Sequence, residues 1–478
     1  MENSRKPMSR MRYNTDLFFL PSWSSLPTVS MGMLASLFYV LLLFLFSRIG
    51  GAELPVVSRI AFGSCAHQDV PQPIWSAVLD FKPEVFIWLG DNIYADNKRP
   101  TRVFGKERTA GPWKNIPRFS PVSLEEMAEK YRKGKSVPEY KRLRATTQII
   151  GTWDDHDYGL NDAGKEFEGK RESQKLMLEN LDEPLDSPRW SQEGVYTSYS
   201  YGPLGKRIKV ILLDTRYHRD PIFSDGTVLG EKQWTFLEKE LTETDAQINI
   251  IASSIQVLGN FSSTVRPFFH VEAWSHFPKE QERLFDVIAR SNASGVVFIS
   301  GDVHFGEITR YDCGISYPLY DVTSSGLTQA VEQSKLAPLA RFSAWLMPTS
   351  MRVYNQWCRY SSCVYGKQNF GTFLIDWTED NVKIVAEIRD VFGRPALKEI
   401  IPLSKLQAQD GAERNFKRLR KKIQRHCTRE VDLPWYLRYR LAAVVYSLFT
   451  VIILAVSVSL YCLVRVGSSK LHKNAGKL

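Results

Sequence analysis

At 478 residues the chain exceeds one typical domain without requiring several. Hydrophobic residues make up 44% and aromatics 12%, which excludes a disordered or low-complexity protein and predicts a substantial buried core. The net charge of +10 is concentrated between Ile401 and Arg440, where eleven Lys/Arg face four Asp/Glu. A basic tract directly ahead of an apolar run suits lipid headgroups better than a nucleic-acid footprint, so no nucleic-acid partner is expected. None of the six cysteines (Cys65, Cys313, Cys358, Cys363, Cys427, Cys462) forms a CxxC pair, which excludes zinc-ribbon and thioredoxin readings. Cys358 and Cys363 lie close enough to bridge in an oxidising compartment, but spacing alone does not fix that pairing.

Residues 1–52 read as a signal peptide or short signal anchor. The apolar run Met31–Phe46 follows Arg5, Lys6, Arg10 and Arg12, and Gly50 and Ala52 offer a small-residue cleavage site. Residues 57–402 read as one catalytic domain. Strand-like runs are expected at Arg59–Gly63, Val85–Leu89, Thr147–Gly151, Val210–Leu213, Ile248–Ala252 and Val296–Ile299. Helical patterns fall between them at Ile74–Phe81, Gly230–Leu241 and Glu280–Ala289. Such alternation predicts α/β architecture with strands buried on both faces. Ala95–Lys141 is polar and reads as an insertion over the mouth of the sheet, with one helix at Leu124–Arg132. Thr372–Asp376 and Val382–Glu387 flank a turn and predict a hairpin, hence some antiparallel sheet.

Residues 403–440 form a basic juxtamembrane segment, residues 441–464 a transmembrane helix of 24 uncharged residues, and residues 465–478 a short basic tail. Basic residues ahead of Met31 favour a cytosolic N-terminus and a lumenal or extracellular domain, in a single- or double-pass membrane protein. The basic Ile401–Arg440 stretch pulls the other way. Sequons at Asn260–Phe261–Ser262 and Asn292–Ala293–Ser294 are compatible with a lumenal glycoprotein.

One pattern recurs four times: a strand-like run ends in Gly or Ser, and polar groups follow at once. It appears at Arg59–Cys65, which ends Gly-Ser-Cys, and at Val85–Tyr94, which ends Gly-Asp-Asn-Ile-Tyr. It returns at Thr147–Asp157, ending Trp-Asp-Asp-His-Asp, and at Val296–His304, ending Gly-Asp-Val-His. Loops from the carboxyl ends of neighbouring strands converge in open α/β sheets, and small residues let the chain turn sharply there. Each motif alone is weak. Gly-Asp after a strand is commonly a turn, and a lone Cys65, Tyr94, His156 or His304 is commonly structural. Together they deliver Cys65, Asp91, Tyr94, Asp154, Asp155, His156, Asp157, Asp302 and His304 to one edge. So many carboxylates would repel or desolvate one another unless cations sat among them, so the set predicts a metal centre.

These four motifs, in this order, resemble the signature of the PhoD-like (alkaline phosphatase D) enzymes of the metallophosphoesterase superfamily. Leu213-Asp214-Thr215-Arg216, Glu231-Lys232-Gln233-Trp234 and Ser253-Ser254-Ile255-Gln256 are similar to intervening family segments, so that the likeness runs over most of Ile60–Asp390. The resemblance implies a four-layer αββα metallophosphoesterase sandwich with two mixed sheets and metals at the sheet edge. It also implies iron(III) joined to one or two calcium ions, with other divalent metals open. It places Asp91 as the bridging carboxylate, with Tyr94, Cys65 and Asp302 on iron. Asp155 and His304 fall at the second metal. His156 would meet the substrate phosphate and Arg216 would help position it. Asn92, Asp154 and Gln256 are further candidates, and Asp157 departs from the expected Glu. Phenolate, thiolate and carboxylate suit a highly charged iron ion, while carboxylate and backbone oxygens suit calcium.

The expected function is therefore hydrolysis of phosphate esters by a metal-bridging hydroxide, tethered to a membrane. Two alternatives stand beside it: a non-catalytic membrane receptor or scaffold retaining the fold, and a lipid-directed phosphodiesterase.

Overall fold

The computed structural model describes residues 54–98, 119–221, 224–259, 272–333, 337–346, 350–358, 362–378, 381–408 and 424–475. The apolar run Met31–Phe46, the Asn260 sequon and residues 409–423 of the basic tract lie outside the described residues. Chain order begins β1 (Arg59–Gly63), α1 (Ile74–Phe81), β2 (Val85–Leu89), β3 (Asp96–Lys98), β4 (Phe119–Pro121), α2 (Leu124–Lys135), α3 (Pro138–Thr146) and β5 (Gln148–Thr152). It continues α4 (Asp155–Tyr158), α5 (Lys170–Asn180), β6 (Thr197–Tyr201), β7 (Ile208–Leu212), α6 (Glu231–Thr242), β8 (Ile248–Ala252), α7 (Pro278–Ser291), β9 (Val296–Ser300), β10 (Gly306–Tyr311) and β11 (Leu319–Ser324). Then come α8 (Ala337–Leu346), β12 (Val364–Tyr365), β13 (Phe370–Asp376), β14 (Lys383–Arg389), β15 (Pro395–Pro402), α9 (Trp435–Arg438) and α10 (Arg440–Ala475).

Two mixed sheets form. The six-stranded sheet runs β15-β14-β13-β1-β2-β5 and the seven-stranded sheet β12-β10-β11-β9-β8-β7-β6. In the first, β1, β2 and β5 are parallel, while β13 lies antiparallel to β1. In the second, β7, β8, β9 and β11 are parallel. The hairpin expected late in the chain is β13–β14, paired from Phe370↔Arg389 to Asp376↔Lys383.

Alternation within strands explains the layering. In β2, Val85, Ile87 and Leu89 enter a core shared by both sheets, whereas Phe86 and Trp88 enter a second core beneath α1, α2, α3 and α5. β1 divides likewise, with Ile60 and Phe62 on one side and Ala61 on the other. Helices α6 and α7 press Trp234, Leu237, Leu284 and Ile288 into the first core. The order helix, sheet, sheet, helix follows, because each apolar strand face must be covered. Fully burying one such large side chain contributes about 1.5–3 kcal/mol.

Two expectations shift in detail. Within Ala95–Lys141, the described residues hold a two-stranded pair, β3–β4, and helix α2 as expected, and also the start of α3. Helix α3 is too short and polar for a clear period; Pro138 opens it, and Tyr140 and Leu143 anchor it in the second core. The 403–440 segment is partly docked on the domain. Leu403 and Leu406 are buried in the main core, and Cys427 is bonded to Cys313. Cys358 is bonded to Cys363. Among the described residues one helix, Arg440–Val466, is long and apolar enough to cross a membrane, with most of its side chains exposed.

Candidate metal centre

Seven parallel strand ends meet at one place. Leu327 N–H donates to the Ser64 carbonyl, joining the ends of β11 and β1. Ala66 N–H donates to the Asp91 carbonyl, joining β1 and β2. The Thr152 hydroxyl donates to the Leu213 carbonyl at 2.7 Å, joining β5 and β7. Ser254, past β8, donates to Asp154 Oδ1 at 2.8 Å, and Gly301, past β9, donates to the Ser254 carbonyl. The site is thus built where the carboxyl ends of both sheets abut, the location open α/β sheets reserve for ligands.

The turns leaving these strands are tight. Cys65, Asp91, Asp302 and His304 all take positive φ, at 65°, 50°, 71° and 61°. For non-glycine residues this conformation is uncommon, and each instance costs about 1–3 kcal/mol that the surrounding contacts must offset. Gly90, at φ 97°, takes that conformation without a Cβ penalty, and a Cβ there would lie 2.3 Å from that of Asp154. A Cβ on Gly301 would lie 2.5 Å from Ser64 Oγ.

Ligating atoms assemble in overlapping groups, each within 4.8 Å: Cys65, Asp91 and His304; Asp91, Asp155 and His156; Asp154, Asp155 and Asp302; and Asp155, Asp162 and Glu272. Tyr94 joins the first group through its hydroxyl, 3.2 Å from His304 Nε2. Cys65 Sγ lies 3.3 Å from Asp91 Oδ2 and 3.1 Å from Ser325 Oγ. The allotment differs from that implied by the resemblance: His304 stands with Cys65 and Asp91, while Asp302 stands with Asp154 and Asp155. Buried oxygens in this neighbourhood, Asn92 Oδ1 and Asp154 Oδ2 among them, have no hydrogen-bond partner. Orphaned acceptors beside clustered anionic donors fit cation binding, because a buried acceptor without a donor is costly.

The electrostatics agree. Burial pushes the Asp91 and Asp302 carboxyls far above the usual range, with neighbouring Asp154 and Asp155 adding to it. Burial and Asp91 do the same to the Cys65 thiol, and burial and Cys65 to the Tyr94 phenol. Burial takes Asp154 to about 7 despite Arg216. Burial would also raise Asp155, but His156, Arg216 and the N–H groups of Asp162 and His156 outweigh it, leaving Asp155 at about 2. His304 is pulled to about 4 by burial and then by His156. Cations placed among these groups would reverse the upward shifts, favouring the ionised forms that bind metal.

Other predicted residues fall around this centre. Asp157 accepts from the N–H groups of Asp154 at 2.6 Å and of Asp91 and Asn92 at 3.2 Å. The shorter acid thus clamps the β2 turn to the β5 turn. His156 Nδ1 lies 2.7 Å from Asp96 Oδ1, and its ring sits against Tyr94 at 4.2 Å and Phe119 at 5.5 Å. Despite burial, Asp155 and Asp91 hold His156 well above the ordinary histidine range. Arg216 is wholly buried, with Nε 2.6 Å from Asp154 Oδ1 and an ion pair to Glu272. Gln256 belongs to none of the groups above; its Nε2 donates to Glu307 and Thr323.

Sequence reasoning missed Asp96, Asp162 and Glu272. Asp96 lies only two residues beyond Tyr94 but opens a short strand of the insertion, so no strand-end pattern flagged it. Asp162, which follows helix α4, and Glu272 carry no recurring signal.

A family model described as PhoD-like phosphatase matches residues 60–384. The alkaline phosphatase D of Bacillus subtilis (strain 168) is 24% identical over 284 residues, covering 53% of this chain and 47% of that protein. The chain therefore spans about half the length of this curated relative. A solved structure titled "Structure of PhoD" superposes with a TM-score of 0.50 and 18% identity, over 75% of this chain and 73% of that one. GAP50, the anchor in the inner membrane complex of Plasmodium, is a more distant match, with a TM-score of 0.42 and 12% identity over 76% and 92% of the two chains.

Proposed function

This chain belongs to the PhoD-like phosphatase family, and from that premise we propose that it hydrolyses phosphate esters at the junction of its two sheets. The observation that carries the reading is the set of overlapping ligand groups around Asp91 and Asp155, bordered by orphaned acceptors. Cys65, Asp91, Tyr94 and His304 would hold iron, and Asp154, Asp155 and Asp302, with Asn92, would hold calcium or another divalent ion. Bound there, the cations would acidify a water and neutralise phosphoryl oxygens.

The chain's own groups do the rest. His156, held charged and fixed at Nδ1 by Asp96, presents its other ring nitrogen to the substrate as hydrogen-bond donor and general acid for the departing alkoxide. Asp96 positions that ring, much as a buried carboxylate orients a catalytic histidine elsewhere. We assign Arg216 to the walls, where it keeps Asp154 and Glu272 in place, so its effect on phosphate is exerted through those carboxylates.

Helix α10 would anchor the enzyme in a bilayer. The Cys313–Cys427 and Cys358–Cys363 bridges favour an oxidising compartment, hence a lumenal or extracellular domain. The experiment is hydrolysis of chromogenic mono- and diesters by wild type and Asp91→Ala, with metal content measured on both. Full turnover by a folded Asp91→Ala protein would overturn the assignment.

A further inference from the structure

The segment entering helix α10 is held against the domain. His426 N–H donates to the Ser350 carbonyl at 2.9 Å, and Cys427 is bridged to Cys313. Arg429, only 4% exposed, reaches Gln281 Oε1 at 3.1 Å and Glu282 Oε1 at 2.8 Å, and pairs with Asp432 at 2.8 Å. Between this segment and the start of α7 lies a cleft of about 530 Å³, within the range of small-ligand sites. Its charged lining is Asp225, Lys279, Glu282, Arg429, Asp432 and Arg438.

Three acids and three bases leave that lining without net charge, but the pairing is uneven. Lys279 pairs with Asp225 at 2.9 Å, and Arg429 takes both Glu282 and Asp432. Arg438 donates to the Val431 carbonyl at 3.4 Å, and its Nε is buried without a partner. Arg438 stands two residues before α10, among the exposed rings of Trp435, Tyr436 and Tyr439. Amphipathic aromatics in that setting mark headgroup depth. With α10 across a bilayer, Arg438 at the rim of the cleft would stand at the level of the phospholipid phosphates.

We propose that this cleft binds the headgroup of a zwitterionic membrane phospholipid, with the phosphodiester on Arg438 and the amine toward Asp225, Glu282 and Asp432. Arg438 lines the cleft and its only hydrogen bond among the described residues is the long one to Val431, so its terminal nitrogens are free to take a phosphate oxygen, and the balanced lining favours a headgroup without net charge over an anionic one. The inference rests on the membrane reading of α10, and is independent of hydrolysis at the metal centre.

The test uses the full chain in detergent micelles, with native mass spectrometry of bound diheptanoyl phosphatidylcholine, diheptanoyl phosphatidylglycerol and inorganic phosphate. Flotation with phosphatidylcholine vesicles reports membrane insertion separately. Expected results are a phosphatidylcholine adduct on wild type that weakens about tenfold in Arg438→Gln and less in Lys279→Gln, with weaker phosphatidylglycerol binding and no displacement by phosphate. Both variants should float as wild type does. Equal phosphatidylcholine retention by wild type and Arg438→Gln overturns the proposal, as does equal phosphatidylglycerol binding or ready displacement by inorganic phosphate. Failure of wild type to float with its micellar adduct intact refutes the membrane reading alone.

Discussion

Two buried polar regions lie side by side in this protein, and they are built on opposite principles. In the seven-stranded sheet, Arg352 Nε meets Glu307 at 2.9 Å with both side chains fully buried. Gln256 donates to Glu307, and Asp321 accepts from Val257, Leu258 and Ser300. Each carboxylate there is matched by donors the protein itself supplies. At the strand ends, six carboxylates (Asp91, Asp154, Asp155, Asp162, Glu272 and Asp302) share the two guanidinium groups of Arg216 and Arg219, and some acceptors are left unmet. The carboxylates of the first region are met from within the protein, and the second region is the one at which we propose that cations sit. Buried acidity by itself does not mark a metal centre; an excess of carboxylates over the cationic groups beside them is the more telling feature.

The largest test of that contrast is Asp91→Ala. It should lower ester hydrolysis by ~10³-fold or more and reduce bound metal, with the folded state retained. Loss of activity at full metal content would mean that Asp91 acts otherwise than as a ligand. In the first region the effect should fall on stability. Arg352→Met strands the Glu307 charge and should cost about 3–5 kcal/mol in denaturant unfolding. Molecules that remain folded should keep their metal and turnover; reduced metal occupancy among them would show the two regions to be coupled.

Asp321 sharpens the comparison through pH. Burial raises its carboxyl to about 6 although Leu258, Ser300 and Val257 donate to it. The folded state thus holds this proton more tightly than the unfolded chain. Its contribution is full below about pH 4 and is lost as pH rises through about 6, a change on the order of 3 kcal/mol. The stability of wild type relative to Asp321→Asn should therefore fall across that window, and a flat difference would contradict the shift. The smallest effect is expected at Asp96→Asn, about 10–100-fold in kcat with KM little changed and partial recovery in Asp96→Glu. A change confined to KM would move Asp96 from positioning His156 to binding substrate.

Much of this was legible in sequence, for a physical reason. A strand buried on both faces announces itself as a short apolar run, and a ligand at its carboxyl end must follow within a few residues. Gly90–Asp91 and Gly301–Asp302 are readable on that account, and β1, β2 and β8 fall on the expected residues. The remainder depends on contacts across the fold. Asp96 matters only because the insertion folds back over His156. Glu272 matters because it faces Arg216 from another loop. The two backbone donors to Asp321 come from residues some sixty positions away. No local pattern encodes such pairings, nor the buried contacts of Arg216 with Asp154 and Glu272.

The bridge from Cys313 to Cys427 bears on how the protein is made and cut. It closes a loop of 114 residues, so during synthesis Cys313 must wait as a free thiol until the stretch just ahead of the apolar helix α10 has emerged. A shortened protein ending at Pro402, where the last sheet strand stops, would lack that mate and uncover the Leu403 and Leu406 contacts. A soluble version is better terminated beyond Asp432, retaining the bridge while omitting the greasy helix.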